Sequence, residues 1–154
     1  MTERDREALQ HCEVGLQHMW KGEVGAAIAA YDRAASLPVS DETRELITIR
    51  KGEAMIAMDR EGPEVSALPG IVMRRRSHRH VYMAASVLMR RYVETDDRRR
   101  AIFYGEIART AAAALDDPFA RATVLNYLGI TMVADSQLDP AVDAFEEALL
   151  ALDE

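Results

Sequence analysis

"GLQHMWKGEVGAAIAAYDRA" occupies residues 15–34 and "GITMVADSQLDPAVDAFEEA" residues 129–148. Counting forward 3, 7, 12, 16 and 19 residues from Gly15 reaches His18, Gly22, Ala27, Tyr31 and Ala34. The same steps from Gly129 reach Met132, Ser136, Ala141, Phe145 and Ala148. Small residues therefore recur where two antiparallel helices cross closely, with an aromatic ring where one large side chain fills the space between them. A helical hairpin is the repeating unit.

The rest of the chain supports helices throughout. Ala, Leu, Met, Glu and Arg abound, aromatic residues make up 6%, and Pro and Gly are sparse in 154 residues, a composition of good helix formers. Caps and apolar spacing together predict about eight helices with short connections. The first covers residues 2–20, with Leu9, Cys12, Leu16 and Met19 or Trp20 on one side, and ends at Lys21-Gly22; the second covers residues 23–36 and stops before Pro38. Ser40 is expected to cap the third, Ser77 the fifth, Thr95 the sixth, Asp117 before Pro118 the seventh and Asp139 before Pro140 the eighth, since short polar side chains satisfy a helix's first amides and proline there loses no needed bond. In the fourth, "GPEVSALPGIVMRRRS", Pro69-Gly70 predicts a kink or break.

Two hairpins, residues 8–38 and 122–152, resemble the tetratricopeptide repeat. Two degenerate copies lie between them. One starts around Gly52 with Met55 and puts Glu64 and Ile71 where alanines are expected; the other starts around Ala85 with Leu88 and recovers Ala101 and Ala108 after an insertion of about four residues. Spacings of 37, 33 and 44 residues separate Gly15, Gly52, Ala85 and Gly129, against about 34 for the type repeat. The resemblance implies an all-α domain over 1–154: a right-handed superhelical stack of about four antiparallel hairpins, with a looser helical-hairpin array as the alternative.

In that family the first helix of each pair lines a concave groove. Carried over by position, the resemblance nominates Leu16, Met19 and Trp20, then Ile49 and Glu53, then Arg79, Tyr82, Ser86 and Arg90, and finally Asn126. The implied function is a non-enzymatic scaffold presenting this groove to a peptide, helix or partner protein. Some members clamp acidic C-terminal peptides with lysines and asparagines; here the matching places hold Cys12, Leu16, Arg50, Arg79 and Met83, which argues against that ligand. An alternative role is that of a regulator sensing an anionic peptide or small ligand through Arg79 and Arg90.

Charge is unevenly distributed. Net charge is −7, but residues 1–70, 71–110 and 111–154 carry −5, +6 and −8. The basic middle includes "MRRRSHRH" at residues 73–80. Acidic flanks and the lack of interleaved stacking aromatics argue against nucleic acid. With one cysteine, Cys12, no signal-peptide pattern and no apolar run near the roughly 20 residues of a membrane helix, a soluble cytoplasmic protein is expected. No catalytic residue and no cofactor is nominated: there is no Gly-rich phosphate loop or nucleophile elbow. His11, Cys12 and His18 lack a further ligand at suitable spacing, so no metal site is expected.

The last helix keeps apolar residues in excess of one inner face. If Ala141, Ala144, Phe145, Ala148 and Leu152 turn inward, Val142, Leu149 and Leu150 are left outside, with Glu146 and Glu147 on an acidic rim. Such stacks finish on a polar helix, and none follows Glu154. Either the full protein continues, or a second molecule covers this surface; the latter predicts a homodimer through Val142, Glu146, Leu149 and Leu150.

Overall fold

The computed structural model describes residues 1–153. They form eight α-helices: α1 (Glu3–Trp20), α2 (Val24–Ala35), α3 (Asp41–Ala57), α4 (Pro63–Arg74), α5 (His78–Glu94), α6 (Arg98–Ala113), α7 (Pro118–Ala134) and α8 (Leu138–Leu152). No strand occurs among the described residues. The chain divides into two compact units, Met1–Leu68 and Pro69–Glu154.

In the first unit α1 packs on α2, and α3 packs on both. Gly15 and Tyr31 form the crossing: a Cβ built on Gly15 would lie 2.4 Å from Tyr31 Cε1, so only glycine lets the ring lie against the α1 backbone. Ala8, Cys12, Ala27, Ala34, Ile47 and Ala54 complete the core around that ring. Between α1 and α2 the backbone reverses at Gly22, whose φ of 75° favours a residue without a Cβ. The entries of α1 and α3 are joined by one carboxylate. Asp5 accepts hydrogen bonds from the Thr2 backbone (3.0 Å) and hydroxyl (2.8 Å), and from the Ser40 backbone and hydroxyl (2.9 Å each). Farther along, Lys51 of α3 reaches Asp32 of α2 at 2.8 Å and Glu64 of α4 at 2.6 Å, contacts that raise its pKa.

In the second unit α5–α6, α6–α7 and α7–α8 are packed pairs, and α5 also touches α7. The α7–α8 crossing repeats the first: a Cβ on Gly129 would lie 2.6 Å from Phe145 Cε1. The middle crossings solve the same problem differently. A Cβ on Gly52 would meet Leu68 Cδ1 and the Glu64 carbonyl at an ordinary 3.4 Å, so Leu68 serves as a smaller filler. In α6, Gly105 stands between Ala101 and Ala108, where the outer hairpins carry their aromatic residue. Its space is taken by Leu128 of α7 and Met89 of α5, which a Cβ would meet at 2.5 and 3.0 Å.

Several element ends differ from the sequence expectation. Asp97, not Thr95, caps α6 by accepting from the Arg100 amide at 3.1 Å; Thr95 closes α5 instead, donating to the Arg91 carbonyl at 3.1 Å. Helix α8 starts at Leu138 after Gln137, which makes no side-chain cap, so Asp139 lies inside the first turn rather than at its cap, where a negative charge still favours the helix's positive end. Helix α4 runs through Pro69 unbroken. Proline inside a helix costs about 3 kcal/mol, whereas Val65, Leu68, Ile71 and Val72 are all buried at about 1.5–3 kcal/mol apiece; burial wins. In α8, Ala151 takes the inner place expected for Leu152, which is 58% exposed.

Candidate interaction surfaces

The groove residues expected from the sequence separate into two sets, one per unit. On α1, Leu16 and Met19 are half-buried and Trp20 is 74% exposed. Met19 leans on the core beneath α2, so Trp20 alone of the three offers a large free apolar surface. Neighbouring α3 contributes Glu53, half-buried with Arg50 3.5 Å away. Ile49 is a correction: it is fully buried. Three residues before Gly52, it lies on the side of α3 that turns inward, where an apolar β-branched residue gains more than on an open groove.

The second set lies on α5 and α7. Arg79, Tyr82, Ser86 and Arg90 recur at helical spacing along one stripe of α5, with Arg79 exposed and the other three half-buried. On the adjoining α7, Asn126, Ile130 and Val133 are exposed at the same helical spacing. The hydroxyl oxygen of Ser86 is enclosed and has no hydrogen-bond partner among the described residues, which is uncommon for a buried polar atom. The stripe thus combines a cation, an aromatic ring, a free hydroxyl and an amide.

The basic tract does not act as one patch. Arg74, Arg75, Arg76, His78 and Arg79 are exposed, but His80 is turned inward at 5% exposure, because residues two apart on a helix point to nearly opposite sides. Cys12 is also removed from chemistry: burial pushes its thiol up to about 11, which makes it a packing residue rather than a nucleophile. No three metal-ligating side chains converge among the described residues.

On α8, Leu138, Val142, Leu149 and Leu150 form an exposed apolar stripe interrupted by exposed Glu146. Glu147, read from the sequence as part of the acidic rim, instead forms an ion pair with Arg109 of α6. Two further exposed aromatics escaped the sequence reading. Phe119, 75% exposed, is in the first turn of α7, where periodicity has not yet assigned a face. Phe103, 55% exposed, was legible: with Ala101, Gly105 and Ala108 turned inward, position 103 falls on the opposite side of α6.

No helix among the described residues is long and apolar enough to cross a membrane. No protein-family model matches the chain, and no curated protein matches it.

Proposed function

We propose that the protein is a non-enzymatic interaction scaffold of the tetratricopeptide type, its hairpins stacked in a superhelix whose first helices present a groove to a peptide or partner protein. The observation that carries this reading is the recurrence of one hairpin lock at both ends of the chain, Gly15 on Tyr31 and Gly129 on Phe145. Neighbouring first helices, α1 beside α3 and α5 beside α7, supply the second condition, because a groove of this kind is built from such pairs.

The most accessible polar contacts on the α5–α7 face are Arg79 and Asn126. Neither supports the core, so their joint replacement by alanine is expected to leave helicity unchanged while releasing a bound partner. Quantitative affinity capture from the native cell, with wild type and Arg79→Ala/Asn126→Ala compared side by side, tests this. An identical set of captured proteins from both baits sinks the reading.

A second reading is favoured by one separate observation, the exposed α8 stripe, with Val142, Leu149 and Leu150 at 53, 67 and 67%. Apolar surface of that kind commonly marks an association site, and a second copy of the chain is the occupant proposed. Sedimentation over a range of concentrations decides: a dimer that Leu149→Glu converts to monomer supports it, and a monomer throughout removes it.

A further inference from the structure

The α5–α6 hairpin contains a cleft of about 440 Å³, within the range of small-molecule sites. Its walls are apolar: Val81 from α5, with Phe103, Ile107 and Ala111 from α6. On α6, Phe103 and Ile107 recur at helical spacing away from Ala101, Gly105 and Ala108, while Ala111 is itself buried. The cleft also differs in place from the α5–α7 stripe, and shares no residue with it.

Its polar groups are distributed in a specific way. Arg75 and His78 line the cleft beside the first turn of α5, where the helix's own partial positive charge adds to that of the Arg75 guanidinium. Among the described residues, neither Arg75 nor His78 has an ion-pair partner. The acid in the lining, Glu106, is 3.7 Å from the Arg109 guanidinium. The lining of an apolar cleft therefore holds two donors without ion-pair partners and one carboxylate.

The backbone at Arg75 is left-handed. Among the described residues six have positive φ: Gly22, Asp59, Arg75, Asp96, Asp116 and Ser136. Glycine adopts this conformation freely, and aspartate and serine have short side chains able to bond the local backbone. Arginine has neither advantage. At φ 51° Arg75 follows the end of α4 as the other five follow the ends of their helices, so its left-handed backbone closes a helix, and its side chain lines the cleft.

We infer that this cleft binds a small amphipathic monoanion, with a hydrocarbon chain seated on Val81, Phe103 and Ile107 and a terminal carboxylate held by Arg75 and His78. The site does not depend on the scaffold reading. Glu106 is expected to make it selective against molecules charged at both ends, because the lining already carries a carboxylate that disfavours a second negative charge.

Isothermal titration of the full chain with octanoate, octan-1-ol and octanedioate tests the assignment, with amide chemical-shift mapping of the octanoate complex. Octanoate is expected to bind one-to-one, at least about tenfold tighter than either of the other two, and to shift amides around Val81, Phe103 and Ile107. The decisive variant is Arg75→Gly: glycine suits the left-handed backbone, so the protein stays folded while octanoate affinity drops about tenfold. Arg76→Gln removes the same charge next door, outside the cleft, and is expected to leave binding unchanged. Equal affinity for octanoate and octan-1-ol overturns the proposal. So do equal losses in Arg75→Gly and Arg76→Gln, shifts confined to other helices, or no binding at millimolar octanoate.

Discussion

The first and last hairpins use the same lock but bury it differently. Tyr31 is fully buried, pressed on Gly15 from one side and covered by α3 residues Ile47 and Ala54 from another. Phe145 rests on Gly129 in the same way, yet stays half-buried, because α8 has a neighbour on its inner side only and leaves Leu149 and Leu150 outside. A hairpin's sequence thus sets its own crossing, while the next helix sets how much that crossing is worth. Asp5 widens the contrast, since it is buried and joins the starts of α1 and α3 through hydrogen bonds, whereas α8 is tied to α6 by the partly exposed Glu147–Arg109 ion pair.

The sharpest way to break this comparison is to remove the two rings. Tyr31→Ala is expected to cost about 3–5 kcal/mol in urea unfolding, as for other buried aromatics, and Phe145→Ala about half as much; equal losses would show that cover by α3 adds nothing. Adding a methyl group under each ring is the milder test. Gly15→Ala and Gly129→Ala are each expected to cost about 1–3 kcal/mol through overpacking, with Gly15→Ala worse because Tyr31 cannot move outward. Gly52→Ala, whose Cβ meets only ordinary contacts, should be neutral or gain up to about 1 kcal/mol from helix propensity.

Acid titration probes the contribution special to the first hairpin. Hydrogen bonds from the Ser40 backbone and from Thr2 hold the Asp5 carboxyl well below the usual carboxylate range. A carboxylate depressed in the folded state stabilises it fully above the unfolded pKa of about 4 and loses that contribution as pH falls further. Asp5→Asn is therefore expected to lower Tm at neutral pH and to flatten the decline of Tm below about pH 4; an unchanged acid profile would show that other groups control it. The smallest effect belongs to the outer face of α8. Leu150→Ser should change stability by no more than about 0.5 kcal/mol, and a larger loss would mean that this surface is covered in solution.

Helix identity and the two outer locks were legible because they depend on local spacing. Gly15 with Tyr31 and Gly129 with Phe145 are each 16 residues apart, and both partners belong to one hairpin. The middle was harder to read. At Gly105 the missing aromatic is replaced by Leu128 and Met89 from two other helices, a substitution that no fixed step along the chain predicts. Thr95 was expected to cap α6, but α5 runs on to Glu94 and Thr95 closes it, which leaves the cap to Asp97.

The candidate surfaces divide along the same line. The resemblance nominated Arg79, Tyr82, Ser86 and Arg90, and their helical spacing puts them on one stripe of α5. It also assigned Ile49 to an open groove, although burial of that side chain depends on packing remote in sequence. The cleft by Arg75 lay beyond reach for a similar reason: it needs the antiparallel pairing of α5 and α6 to bring residues 75 and 78 beside 103 and 107. By itself the sequence determined where helices form and how each outer hairpin closes, since both follow from backbone capping and a fixed rise per residue. Tertiary structure decided which apolar faces are covered and which charges share a cleft, because burial and Coulomb energy depend on distance in space rather than along the chain.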